Sequence, residues 1–78
     1  MITKGEKEKI KKILGWRYAP LVQAYMNKKG YFNSNGLPYS TAMIVNVMNG
    51  IRHDLIEEAI FELTALKKAQ QEAHRRIL

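Results

Sequence analysis

Hydrophobic residues recur along the chain at the three- and four-residue spacing of amphipathic helices, in four separate segments. The segments are about 3–14, about 20–29, 40–49 and a long one that begins near residue 54. A glycine follows each of the first three, at the position where helices commonly stop. The pattern predicts an all-α fold, a small bundle of four to five helices.

Each predicted helix carries one apolar stripe that we expect to face the core. The expected core residues are, in chain order, Ile10, Ile13, Leu14, Leu21, Val22, Tyr25, Met26, Met43, Ile44, Val47, Met48, Ile51, Leu55, Ile56, Ala59, Ile60, Leu63 and Leu66. Most of the aromatic side chains should also fill the core or its corners, because a chain of 78 residues is short of core volume.

Local signals mark where the helices begin and how two of them are joined. Thr3, followed three residues later by Glu6, has the spacing of a capping box, and Ser40 is a natural N-cap. Acidic residues open the fourth helix, where the helix dipole favours negative charge. Between the second and third helices, Asn35-Gly36 predicts a type I′ turn inside a partly extended loop.

The side of segment 40–49 opposite its apolar stripe carries mostly small and amide-bearing residues: Thr41, Ala42, Val45, Asn46 and Asn49. Bulky side chains at these positions would keep a helix out of the DNA major groove. An asparagine there can bond to a base edge or a phosphate. The pattern therefore favours a DNA recognition helix.

The net charge of +6 is unevenly distributed along the chain. Residues 1–52 carry +7, residues 53–66 carry −4 and residues 67–78 carry +3. This distribution predicts a basic face that meets a polyanion and an acidic patch that is held away from it. Lysine-rich helix surfaces also serve solubility alone, so charge by itself leaves both interpretations open.

Composition gives little support to other functions. The chain has no cysteine for disulfides or thiolate metal sites, and no apolar run approaches the roughly 20 residues of a membrane span. His53 and His74 have no companion ligands, and no acid–base pair or activated nucleophile is evident. We expect a soluble cytoplasmic protein that is not an enzyme and uses no cofactor, metal ion, small-molecule substrate or membrane.

Residues 9–66 resemble the Cro and phage-repressor type of helix-turn-helix protein. The order of the helices is that of the family, and the third helix begins with a Ser-Thr pair. Asn49-Gly50 matches the Asn-Gly at the end of the family's recognition helix, and Ile44 and Val47 match its buried positions. The family usually joins the second and third helices by a turn of only a few residues.

The connection in this chain is longer, with nine residues between Gly30 and Ser40. The resemblance therefore implies a bundle that contains a helix-turn-helix with an elongated turn. The stretch KKGYFNSNGLPYSTAMIVNVM is more similar to the helix-turn-helix of serine-recombinase C-terminal regions. In those regions a glycine, a short polar loop, a second glycine and an aromatic–serine pair precede the recognition helix.

The resemblance implies a sequence-specific regulator of transcription, a Cro-like phage repressor that binds double-stranded DNA as a homodimer on a two-fold operator. It implies base contacts from Thr41, Ala42, Val45 and Asn46, a phosphate contact from Asn49, and a phosphate or base contact from Arg52. The other residues that we expect at the DNA are Arg17, Lys28, Lys29, Tyr39 and Ser40. Tyr39 is the one aromatic residue for which we expect a phosphate contact.

Two other functions remain open. The likeness of the loop to recombinase modules also fits a DNA-bending recombination accessory factor, and a basic face also fits a protein-interaction or inhibitor module. Steeply salt-dependent DNA binding would exclude the interaction module, and a measured bend angle would separate the accessory factor from the regulator.

We divide the chain into a helix-turn-helix DNA-binding domain, residues 1–66, and a C-terminal helical extension, residues 67–78. In the extension only Ala69, Ala73 and Ile77 continue an apolar line. The extension is therefore expected either to be a solvated end or to pair with a second subunit.

Overall fold

A computed structural model of the protein describes residues 1–77, with side chains as far as Ala73. Over these residues the chain forms four helices, which are α1 (Lys4–Leu14), α2 (Tyr18–Lys29), α3 (Thr41–Met48) and α4 (Asp54–Ile77). The predicted all-α bundle is confirmed. α1, α2 and α3 all pack against α4, and α2 also packs against α1 and α3. α4 runs without a break past residue 66, so the proposed boundary at 66/67 lies within one helix.

The predicted N-caps of α1 and α3 are confirmed. In α1 the Glu6 backbone N–H donates to the Thr3 hydroxyl at 3.2 Å, and the Thr3 N–H donates to the Glu6 carboxylate at 3.0 Å. In α3 the Ser40 hydroxyl accepts from the Met43 N–H at 3.2 Å. These bonds satisfy amides that have no partner inside their helix.

Gly50 closes α3 as the sequence predicts. Its N–H donates to the Val47 carbonyl and the Ile51 N–H donates to the Asn46 carbonyl, each at 3.1 Å, which is the bonding pattern of a Schellman motif. The motif needs a positive φ, and Gly50 has φ 106°. Glycine adopts this conformation without the steric strain that a side chain would bring.

The core lies where the helices meet α4. Its seven largest fully buried side chains come from the stripes predicted for α2, α3 and α4, and they are Val22, Met26, Ile44, Val47, Met48, Ile56 and Ile60. The smaller or slightly less buried members of the core are Ile2, Ile10, Leu14, Tyr18, Ala19, Ala59 and Leu63. Ile2 precedes the first helix, so helical periodicity gave no signal for its burial.

Four residues expected in the core are exposed instead, and for them the prediction is wrong. They are Leu21, Met43, Ile51 and Leu66, with Ile51 the most exposed at 58 %. Leu21, Met43 and Leu66 lie at the edges of their stripes, and Ile51 lies beyond the end of α3. Neighbouring helices therefore cover these side chains only in part.

The aromatic residues are less buried than expected. Tyr18 is the one that is buried, whereas Tyr25, Tyr31 and Tyr39 are partly buried and Phe32 and Phe61 are exposed. Trp16 is 92 % exposed, so its assignment to the core or a packed corner is wrong. α2 also begins two residues earlier than expected, at Tyr18. Pro20 then stands third in the helix, where its missing N–H has no intrahelical partner to lose.

The α2–α3 loop does not contain the predicted type I′ turn. That turn needs positive φ at both Asn35 and Gly36, but among the described residues only glycines have positive φ. The Asn33 side chain accepts from the N–H groups of Asn35 and Leu37, at 2.9 and 3.1 Å. The Asn33 carbonyl accepts from the Gly36 N–H at 2.9 Å. Asn33 therefore organises the turn, by the side-chain bonding typical of asparagine in turns.

The start of α4 depends on one buried carboxylate. Glu57 accepts from the His53 N–H at 3.0 Å and forms an ion pair with the amino group of Met1. His53 in turn accepts from the Ile56 N–H through Nδ1, at 3.3 Å. The hydrogen bond from the Met1 amino group lowers the pKa of Glu57, aided by the bond from His53 and opposed by burial.

We expect Ile44→Ala to destabilise the domain by about 2–5 kcal/mol, because Ile44 is fully buried and truncation leaves a cavity. That is a large share of the roughly 5–15 kcal/mol of a typical domain. Ile51→Ala makes the same change at an exposed position and should leave the melting temperature nearly unchanged. Equal melting temperatures for the two variants would contradict the orientation of α3.

Glu57→Gln should destabilise the protein near neutral pH but not in acid. A lowered folded-state pKa means that the carboxylate stabilises the fold above the usual glutamate pKa of about 4.3, and that this stability is lost as the pH falls through the folded-state value. Melting temperatures of wild type and variant should therefore converge as the pH falls below the usual glutamate pKa and through the lower folded-state value. Glu58→Gln, at the exposed neighbour, is the control. A difference in melting temperature between wild type and Glu57→Gln that stays constant with pH would contradict the role given to Glu57.

Candidate nucleic-acid interface

α3 turns one face to the core and the other to solvent. Ile44, Val47 and Met48 are buried against the other helices, so Ala42, Asn46 and Asn49 are left on the outer face. These three residues follow one another at spacings of four and three, which places them in one line along the helix. The outer line of α3 therefore presents one methyl group and two side-chain amides.

The remaining predicted residues of this helix divide between surface and core. Thr41 is exposed in the first turn, and Ser40 is exposed with its hydroxyl engaged as the N-cap. Val45 is partly buried and packs against the core, so its placement on the outer face is wrong. Its angular position lies between the outer line and the buried stripe.

Tyr39 holds the start of α3 to two other helices. Its carbonyl accepts from the Gln23 side-chain amide of α2 at 2.9 Å. Its ring packs edge-on against His53, which precedes α4, with the ring centroids 5.1 Å apart. The partly buried ring thus has a structural contact, while the predicted phosphate contact of Tyr39 stays a prediction.

Two basic side chains lie close to the C-terminal end of α3. The Lys7 ammonium of α1 donates to the Asn49 side-chain oxygen, and Arg52 is exposed just beyond Gly50, with Nε 3.6 Å from the Asp54 carboxylate. The carbonyl end of a helix favours such cations. Lys7 was not predicted as a site residue, because 42 residues separate it from Asn49 and no local pattern joins them.

The other predicted basic residues lie at the two ends of α2. Arg17 is exposed immediately before that helix. Lys28 and Lys29 are exposed at its end, and they line grooves with α4 that include no residue of α3. The structure therefore does not bring this lysine pair together with α3.

The groove beside Lys29 contains an acidic centre. The Tyr25 hydroxyl donates to the Glu62 carboxylate at 2.7 Å, and the Tyr31 hydroxyl lies 3.4 Å from the same group. The bond to Glu62 raises the pKa of Tyr25 to about 12, because losing the phenolic proton would place two negative charges side by side. The Lys29 ammonium lies 5.8 Å from the centre of the Tyr25 ring.

Metal-ligand clusters and membrane-spanning helices are both absent from the described residues. Within them, no three acidic or histidine side chains come together as possible ligands of a metal ion, and the side chain of His74 lies outside them. No helix over residues 1–77 is both long enough and apolar enough to cross a membrane.

Comparison of this chain with protein-family models, with curated proteins and with solved structures finds no match.

Proposed function

We propose that this protein is a sequence-specific regulator of transcription that binds double-stranded DNA and contacts the major groove with α3. The observation that carries the proposal is the outer line of α3, where Ala42, Asn46 and Asn49 are exposed without a bulky side chain among them. A side-chain amide can form two hydrogen bonds with an adenine edge, and a small neighbour lets the helix approach the bases.

The charges around α3 support the same proposal. Lys7 and Arg52 lie at its end, and the chain up to residue 52 carries +7. In such complexes phosphate contacts supply most of the affinity and base contacts supply the selectivity. Most acidic residues of the described chain lie on α4, and one of them, Asp54, lies close to Arg52 near the end of α3.

We further propose a homodimer on a two-fold site, in the manner of the Cro and phage-repressor proteins that the sequence resembles. Phe61 and Leu66 of α4 are 40 % and 47 % exposed, with the exposed Ala65 between them. Exposed apolar residues on one helix are suited to a second copy of the chain. Such a protein would act in the cytoplasm by occupying its site, as a repressor does.

Selection of bound sites from random duplex DNA tests the function as a whole. We expect a two-fold symmetric consensus, with affinity that falls steeply with salt, because each phosphate neutralised adds about −0.9 to the slope of log K against log salt. A flat slope with no consensus would instead indicate a protein partner for the basic surface.

Substitutions on the outer line of α3 separate base contacts from phosphate contacts. Ala42→Glu places a charge against the groove and should abolish binding, whereas Ala24→Glu, at an exposed position of α2, should not. Asn46→Ala should cost about 1–3 kcal/mol, mainly at one base pair, if the amide bonds to an adenine edge. Asn27→Ala on α2 is its matched control.

Binding to specific and scrambled duplexes, with a melting curve for each variant, gives the readout. All four substituted side chains are exposed, so the fold should be retained. Wild-type binding by Ala42→Glu would show that α3 is not the recognition helix. A loss by Asn46→Ala that is equal on all sequences would assign the amide to phosphate.

A further inference from the structure

Trp16 is the most exposed large hydrophobic side chain of the described residues. It lies at the corner between α1 and α2, and 92 % of its surface is accessible. The Lys11 ammonium lies 5.8 Å from the ring centre, within the range of a cation–π contact. Tryptophan is enriched at the residues that contribute most to binding interfaces, so a ring this exposed points to a partner.

The surroundings of Trp16 define the charge of that partner. A groove beside the ring is lined by Glu8, Lys11 and Lys12, and Arg17 follows the ring in sequence. Three cationic side chains against one carboxylate favour an anionic partner. A basic or purely apolar partner would leave these charges repelled or without partners.

The basic residues near Trp16 continue to α3. Lys7 and Lys11 are one helical turn apart on the same flank of α1. The Lys7 ammonium bonds to Asn49 at the end of α3, and the Lys11 ammonium lies 6.0 Å from the Tyr18 ring of α2. Lys9, by contrast, lines a groove between α1 and α4. Lys7 and Lys11 therefore form a basic strip on one side of α1, between the end of α3 and Trp16.

We propose that Lys7, Lys11 and Trp16 form a second DNA contact, in which the two ammonium groups bind phosphates beside the bases that α3 contacts and the indole packs against the sugar–phosphate backbone beyond them. This inference rests on the proposed function. Contacts of this kind strengthen binding on every sequence and carry no base preference.

Trp16 is the only tryptophan in the chain, so its fluorescence reports on this contact alone. Acrylamide quenching of the full chain is measured with and without a selected duplex, while the anisotropy of a labelled duplex reports binding itself. We expect bound duplex to reduce the quenching constant several-fold. Binding with unchanged quenching would overturn the second contact but leave the proposed function intact. Failure to bind any duplex would overturn both.

Substitutions of Lys11 and Trp16 test how much each side chain contributes to DNA binding. Lys11→Ala should weaken binding equally on specific and scrambled duplexes and reduce the salt slope by about 0.9, the share of one phosphate. Lys9→Ala, on the other flank of α1, should leave the slope unchanged. Trp16→Ala should weaken binding by about tenfold without changing the consensus or the melting temperature. Identical salt slopes for Lys11→Ala and Lys9→Ala would overturn the proposal. The proposal would also be overturned if phosphatidylserine vesicles, and not duplex DNA, protected Trp16 from acrylamide quenching.

Discussion

The rotation of α3 about its own axis is set by the burial of Ile44, Val47 and Met48, and the proposed interface depends on it. A helix of eight residues is not stable alone in water, so α3 exists because these side chains are packed against the rest of the domain. Successive residues of a helix point about 100° apart. Only a narrow range of rotations buries all three, and that range leaves Asn46 and Asn49 facing solvent.

The long connection between α2 and α3 does not leave α3 without fixed contacts to the other helices. The Gln23 bond to the Tyr39 carbonyl joins its start to α2, and the contact between the Tyr39 and His53 rings joins it to the start of α4. Lys7 reaches the other end of α3 from α1. Each of these contacts joins parts of the chain at least 14 residues apart. Together these tertiary contacts fix the position of α3, which a short turn between α2 and α3 would otherwise do.

Charge is separated in the structure as well as in the sequence. Glu57 is paired with the amino group of Met1, and Glu62 accepts a hydrogen bond from the Tyr25 hydroxyl. Asp54 lies 3.6 Å from Arg52, so three of the four acidic residues of segment 53–66 have partners within the domain. Lysine and arginine side chains on α1 and after α3 remain at the surface. Cationic side chains outnumber carboxylates on α1, and such an excess of positive charge attracts a polyanion.

The sequence by itself determined the four helices, the caps at Thr3 and Ser40 and the stop at Gly50, because these features arise from neighbours within about four residues. It also identified most of the core, since helical period selects a buried face. Tertiary structure alone decided how wide that face is, and it left Leu21 and Leu66 exposed and Val45 partly buried. It alone brought α1 to the end of α3. Burial at the edge of a stripe, and contacts across 40 residues, depend on how helices cross, which no local pattern encodes.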